Sequence, residues 1–299
     1  MVRGGGVGGV EVRGGVRGGT TVFKHVEVHH QYTKPPNPKL ATETKALNKQ
    51  VICLIDASGS MSGDRIKQAI NGTCSVLNHL DEKRDWFGFT TFHSGMTTHF
   101  QPTALKYTTN AKNASGQKYP NKRAEMQAAL QRYTLESGGT RMYDSMCDCM
   151  SHFKAPPGKL EIQTELVVLT DGGDNMSSRS AAQANEYIKK FVADTPWMRN
   201  FHITILAVGM NVTATSRCRE VVSGNIRAVD GSHTPLGKVD EVSSTKIASA
   251  FTEVVRHIQQ RQTATLTRIT ISQVTMSTHG SGGFKGKGRK ASHVIIGGG

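Results

Sequence analysis

The hydrophobic positions of this chain fall into short apolar runs separated by longer stretches with helical spacing. Val51–Ile55 is an unbroken apolar run, the pattern of a parallel strand buried on both faces. Over Asp64–Leu80, Ile66, Ile70, Cys74 (or Thr73) and Leu77 recur at the spacing of one helix face. Trp86–Phe92 reads as the next strand, and Thr97–Gln101 as a short edge strand. Lys122–Tyr133 and Met142–Phe153 read as helices, the second with a stripe of Met142, Met146, Cys149/Met150 and Phe153. Glu165–Thr170 is another buried strand, Ala181–Val192 a helix, Phe201–Val208 a strand and Ile226–Val229 a weak one. Ile247–Ile258 closes the series as an amphipathic helix carrying Ala250/Phe251 and Val254/Val255. Alternation of strands and helices predicts an α/β fold: a doubly wound, mostly parallel central sheet with helices on both faces.

Outside that series the pattern changes. Residues 21–32 alternate, with Val22, Val26 and Val28 on one face and His25, Glu27 and His29 on the other, as in a half-buried strand. Pro35, Pro36 and Pro38 then mark a linker. After Gln262 a Thr- and Ile-rich stretch reads as a strand, which could pair with residues 21–32 in a small β appendage. The predicted organisation is a Gly/Arg-rich tail at 1–20, a strand and linker at 21–47, and a folded domain at 48–260. A C-terminal strand at 261–278 and a Gly/Lys-rich tail at 279–299 complete it. Residues 1–20 hold too little apolar surface to offset chain entropy and are expected to be disordered, and the tail at 279–299 is expected to be flexible. Gly4, Gly6 and Gly9 match G-x-G-x-x-G, but no strand precedes them and no helix follows, which rejects a dinucleotide site.

Charge sharpens this division. The net charge is +14, and residues 1–40 carry six Lys/Arg against Glu11 and Glu27, while residues 261–299 carry six and no acid. Basic ends favour polyanions through counterion release. The five cysteines form no CxxC pair, which argues against a disulfide framework or zinc module and fits a reducing compartment. No apolar run approaches 18 residues and the N-terminus lacks a signal-peptide core, so a cytoplasmic location is expected. On that expectation the sequons at Asn71, Asn113, Asn175 and Asn211 carry no weight.

Three segments carry candidate chemistry: Asp56-Ala57-Ser58-Gly59-Ser60 after the first buried strand, Gly138-Gly139-Thr140 before a helix, and Thr170-Asp171-Gly172 ending a strand. Loops at the carboxyl ends of parallel strands converge. Two carboxylates and three hydroxyls are hard donors suited to Mg²⁺, Mn²⁺ or Ca²⁺ rather than zinc. Neutral hydroxyls leave the ion net positive and one coordination position open, which an incoming Asp or Glu carboxylate would fill. No general base belongs to the set, so the design is one of binding.

Asp-x-Ser-x-Ser, a distant Thr and Thr-Asp-Gly resemble the metal-ion-dependent adhesion site of von Willebrand factor A domains, as in integrin I domains and copines. VICLIDASGSMSG is similar to the family's first strand and metal loop, GGTRMYDSM to its Gly-Gly-Thr helix start, and ELVVLTDGGDN to its fourth strand. The resemblance covers roughly residues 48–260. It implies a Rossmann-like fold and a metal set of Asp56, Ser58, Ser60, Thr140 and Asp171. In that set Ser58, Ser60 and Thr140 coordinate directly, and Asp56 and Asp171 act mostly through water. Asp174 and Asn175 follow the third segment, either as outer support of the site or as a polar turn.

Enzyme signatures are missing. There is no G-x-S-x-G elbow and no G-x-x-x-x-G-K-[ST] loop. The expected activity is Mg²⁺-dependent binding of a protein partner's acidic side chain. A different class of function is contact with RNA or DNA through Arg-Gly-Gly at Arg3, Arg13 and Arg17 and the tail residues Lys285, Lys287, Arg289 and Lys290. A third is self-assembly, with one subunit's acid filling the next subunit's open position to give a homo-oligomer, as a ring or filament.

Overall fold

A computed structural model describes residues 47–106, 109–155, 162–228 and 231–261. A six-stranded sheet organises them. In chain order its strands are β1 (Asn48–Asp56), β2 (Trp86–Phe92), β3 (Met96–Ala104), β4 (Ile162–Thr170), β5 (Asn200–Val208) and β8 (Gly237–Val242). Their spatial order is β3-β2-β1-β4-β5-β8. Only the β2–β3 pair is antiparallel; β1–β2, β1–β4, β4–β5 and β5–β8 are parallel. A separate two-stranded ribbon joins β6 (Asn225–Arg227) to β7 (His233–Pro235). The helices are α1 (Asp64–His79), α2 (Lys122–Gln131), α3 (Met142–Met150), α4 (Ala181–Ala193), α5 (Val212–Val221) and α6 (residues 247–261).

The sheet is doubly wound and mostly parallel, as the alternation predicts. Successive side chains of a strand point to opposite faces, and the central strands obey this strictly. Val51, Cys53 and Ile55 of β1, with Val167 and Leu169 of β4, enter a core shared with α1, α2 and α6. Ile52 and Leu54, with Leu166 and Val168, enter a second core beneath α3, α4 and α5. Both sides of these strands are buried, which is why they read as unbroken apolar runs rather than as alternation.

Several boundaries moved and some elements were unforeseen. β1 and β4 begin earlier than the apolar runs, at Asn48 and Ile162, because the ladder continues through Gln50, Gln163 and Thr164. α2 and α3 end at Gln131 and Met150, short of Tyr133 and Phe153. α5 and β8 had no counterpart in the pattern, and the strand expected at Ile226–Val229 is the short β6. The alternating strand at 21–32, the linker after it and both tails lie outside the described residues. So does the stretch expected at 261–278, apart from Arg261, the last described residue and part of α6.

All five cysteines are free and buried. Burial pushes the thiols of Cys147 and Cys149 up to about 12 and that of Cys218 to about 11, so they remain protonated and unreactive at neutral pH. Among the described residues no helix is long and apolar enough to cross a membrane.

Candidate metal centre

β1 and β4 are adjacent and parallel, so Asp56 and Asp171 emerge side by side at their carboxyl ends. After Asp56 the chain turns back on itself: the Ser58 amide donates to Asp56 Oδ1 at 2.8 Å. A single 3-10 turn, Gly59–Met61, then presents Ser60, and Met61 anchors the turn in the core. Gly63 joins this turn to α1 with φ +76, a conformation that favours glycine.

The side chains form a connected set. Ser58 Oγ and Ser60 Oγ lie 3.1 Å apart. Ser60 Oγ donates to Asp171 Oδ1 at 2.6 Å. Thr170 Oγ1 donates to the second oxygen of Asp56 at 2.7 Å. Thr140 arrives from across the sheet. Its hydroxyl lies 3.3 Å from where a Cβ on Gly172 would stand, which seats it against the Asp171 loop and favours a small residue there. Asp56, Ser58 and Thr140 are buried, and Ser60 is exposed at the mouth. All five residues singled out from sequence therefore gather at one end of the sheet.

Loop 138–140 is held by partners that local sequence does not reveal. Gly138 has φ +150, and a Cβ there would lie 2.5 Å from Ser94 Oγ. That same hydroxyl accepts the Gly139 amide at 2.8 Å. The Thr140 amide donates to Asn175 Oδ1 at 2.8 Å, and the Thr140 carbonyl accepts the amides of Asn175 and Met176. Asp174 accepts the Tyr143 amide at 2.9 Å and so satisfies an orphan donor at the start of α3. Asp174 and Asn175 are thus supports of the Thr140 loop rather than a simple polar turn. Asp144, in the first turn of α3, ties the same region together through Ser178 and Arg179. Burial opposes its charge, but the Ser178 and Arg179 hydrogen bonds prevail and hold its carboxyl down to about 2.

Two charged features complete the electrostatics. Burial raises the Asp56 carboxyl above its ordinary range, helped by the nearby Asp171 and opposed by the hydrogen bonds from Ser58 and Thr170. Arg65, in the first turn of α1, donates from Nη1 to Asp171 Oδ2 at 2.5 Å and to the Ser60 carbonyl at 3.2 Å. Arg65 and Ser94 contribute to the arrangement without any motif to announce them, whereas Thr170 stands in the Thr-Asp-Gly motif and Asn175 just after it.

The donor chemistry fits a hard divalent cation. Among the described residues no three His, Cys, Asp or Glu side chains gather as a metal-holding group, so any ion here would rely on hydroxyl oxygens. Such a set suits a cation that takes oxygen ligands and retains water, not a thiolate- or imidazole-seeking one.

The fold and this cluster define a doubly wound α/β domain with its polar centre at the carboxyl ends of the strands. The family model of the von Willebrand factor type A domain matches residues 50–230, and the chain belongs to that family. Domains of this family are generally metal-dependent protein-interaction modules rather than enzymes. Among solved structures, the chain is similar to a von Willebrand factor type A protein from Catenulispora acidiphila, at 19% identity and a TM-score of 0.48 over 70% of this chain and 42% of that one. It is also similar to proximal thread matrix protein 1 from the mussel byssus, solved with a zinc-occupied adhesion motif (16%, 0.47, 70% and 45%). A third is the PilB minor pilin of Streptococcus sanguinis (14%, 0.48, 73% and 62%). The chain thus spans less than half the length of the first two. No curated protein matches the sequence.

Proposed function

We propose that Asp56, Ser58, Ser60, Thr140 and Asp171 form an intact adhesion-type site that holds Mg²⁺, and that the site binds an Asp or Glu side chain of a partner protein. The supporting observation is the continuous chain Ser58–Ser60–Asp171 with Thr140 seated against the same loop. When bound, the ion supplies an electrophilic position for an incoming carboxylate. The chain's own residues do the rest. Ser58, Ser60 and Thr140 present neutral oxygens, and Thr170 and the Ser58 amide orient Asp56. Ser94 and Asn175 fix the height of Thr140. Titration of Mg²⁺ and Mn²⁺ into EDTA-stripped protein by calorimetry tests this reading. Saturable binding is expected for the wild type and its loss for Asp56→Ala; no heat from either protein would sink it. Partner binding indifferent to EDTA would remove the metal from the interaction.

A second reading rests on Arg3, Arg13 and Arg17 in Arg-Gly-Gly and on the basic residues Lys285 to Lys290. These segments favour single-stranded nucleic acid with steep salt dependence. RNA affinity that falls with salt and disappears on deletion of residues 1–20 and 279–299 is the expected outcome. Affinity that survives the deletion would discard it.

A further inference from the structure

Arg65 occupies an unusual position for a cation. It lies in the first turn of α1, where the helix dipole disfavours positive charge. Its guanidinium nevertheless reaches across to Asp171, on a loop 106 residues away, and to the Ser60 carbonyl. The Asp171 side chain is shielded from solvent, whereas the Arg65 side chain is 40% exposed. Arg65 therefore covers the outer oxygen of one of the candidate ligands while remaining at the rim, where a partner would approach.

Charge counting gives this contact a consequence. The hydroxyls leave the ion positive, but Asp56 and Asp171 place two negative charges around it and reduce the field that an incoming carboxylate meets. With Arg65 paired to Asp171, the side chains bring a net charge of only one, and more of that field remains. We infer that Arg65 is a charge-setting residue of the metal centre: it weakens divalent-ion binding and strengthens capture of a carboxylate by the bound ion. This rests on the metal-site reading above and adds a requirement that reading does not contain. A guanidinium that only braced α1 against β4 would shift both affinities together or neither; a charge-setting one shifts them in opposite directions.

The test uses the full-length chain with Mn²⁺ as the ion and acetate as a minimal carboxylate. Free Mn²⁺ is followed by electron paramagnetic resonance, and displacement of Mn²⁺-bound water by acetate through water-proton relaxation. Arg65→Gln is expected to tighten Mn²⁺ binding roughly tenfold and to weaken acetate binding by a similar factor, both effects shrinking at high salt. Arg65→Lys keeps the charge and is expected to behave like the wild type, which separates charge from the shape of the guanidinium. If Arg65→Gln matches the wild type in both affinities, or shifts both the same way, the proposal is overturned while the metal site stands. A wild-type chain that takes up no Mn²⁺ overturns the metal reading and this inference with it.

Discussion

Asp56 is a buried carboxylate whose two oxygens are oriented by different partners, the Ser58 amide and the Thr170 hydroxyl. Thr170→Val keeps the shape of the side chain and removes the second donor, leaving a buried oxygen underbonded at about 1–3 kcal/mol. Removing support of this kind typically weakens metal affinity about 10–100-fold. Thr170→Val is therefore expected to weaken Mg²⁺ binding by that factor in calorimetry while the chain still folds; unchanged affinity would show that Asp56 needs no such orientation. The position of Thr170 also explains what sequence revealed. Asp56, Ser58 and Ser60 are legible because they are close in the chain and occupy one turn, and Thr140 and Asp171 because their Gly-rich or strand-end contexts match a known motif. Thr170 sits 114 residues from its acceptor, Arg65 106 from Asp171 and Ser94 45 from Gly139. Thr170 was legible as part of Thr-Asp-Gly but its hold on Asp56 was not, and Arg65 and Ser94 are ordinary residues until the sheet brings them to the site.

Most of the elements that sequence patterning identified are buried on two sides or along a broad stripe, the edge strand β3 and the thinly buried α2 being the exceptions. α5 escaped because only Thr215, Cys218 and Val221 turn inward and its remaining positions are polar or exposed. β8 escaped because it is an edge strand in which Lys238, Asp240 and Glu241 stand among the apolar residues. α6 was legible through Phe251, Val254 and Val255, and its seat on α1 can be tested. Gly72 lies within α1, and a Cβ there would stand 2.0 Å from a carbon of the Phe251 ring. In an open helix Gly→Ala gains about 0.5–1 kcal/mol. Overpacking a tight core costs about 1–3 kcal/mol, and the ring, being fully buried, has little room to yield. Gly72→Ala is thus expected to lower the urea midpoint despite its better helix propensity. Pairing it with Phe251→Leu should recover part of the loss relative to the sum of the single changes. A Gly72→Ala chain more stable than the wild type would show that α6 shifts freely on α1.

At the scale of the molecule, the sheet carries polar chemistry at both ends. Roughly 20 Å along β4 from Asp171, at six residues of about 3.3 Å each, Glu165 is buried on the face that α6 covers. Arg261 of α6 forms an ion pair with it and also donates to the carbonyls of Asn200 and Phe201. Gln163 Nε2 donates at 2.7 Å to the same Glu165 oxygen, Oε1, that Arg261 pairs with, and His202 Nδ1 approaches Oε2 at 3.5 Å without hydrogen-bond geometry. Burial opposes the Glu165 charge, but Arg261, His202 and Gln163 outweigh it and hold the carboxyl down to about 2. His257, packed on His202 with ring centroids 4.7 Å apart, is pushed down to about 4, first by burial and then by His202, with Lys238 and Arg261 adding to this and Glu165 opposing it. Both shifts point the same way in pH. A histidine depressed from 6.5 stays neutral in the folded state while the unfolded chain takes up a proton, so stability declines as pH falls from 6.5 towards 4. A carboxyl depressed from 4.5 contributes stability above that value and loses it as pH falls towards 2, and Asp144, also held at about 2, adds to this second step. Denaturation midpoints measured from pH 7 to pH 3 should therefore fall in two stages. His257→Phe should shrink the upper stage and leave the lower, because phenylalanine fills the same space with nothing to protonate; burial also pushes His99 and His152 down, and they keep the remainder of that stage. If the variant keeps the full wild-type decline between pH 6.5 and 4, His257 contributes nothing to that stage, which then belongs to the other depressed histidines, His99 and His152.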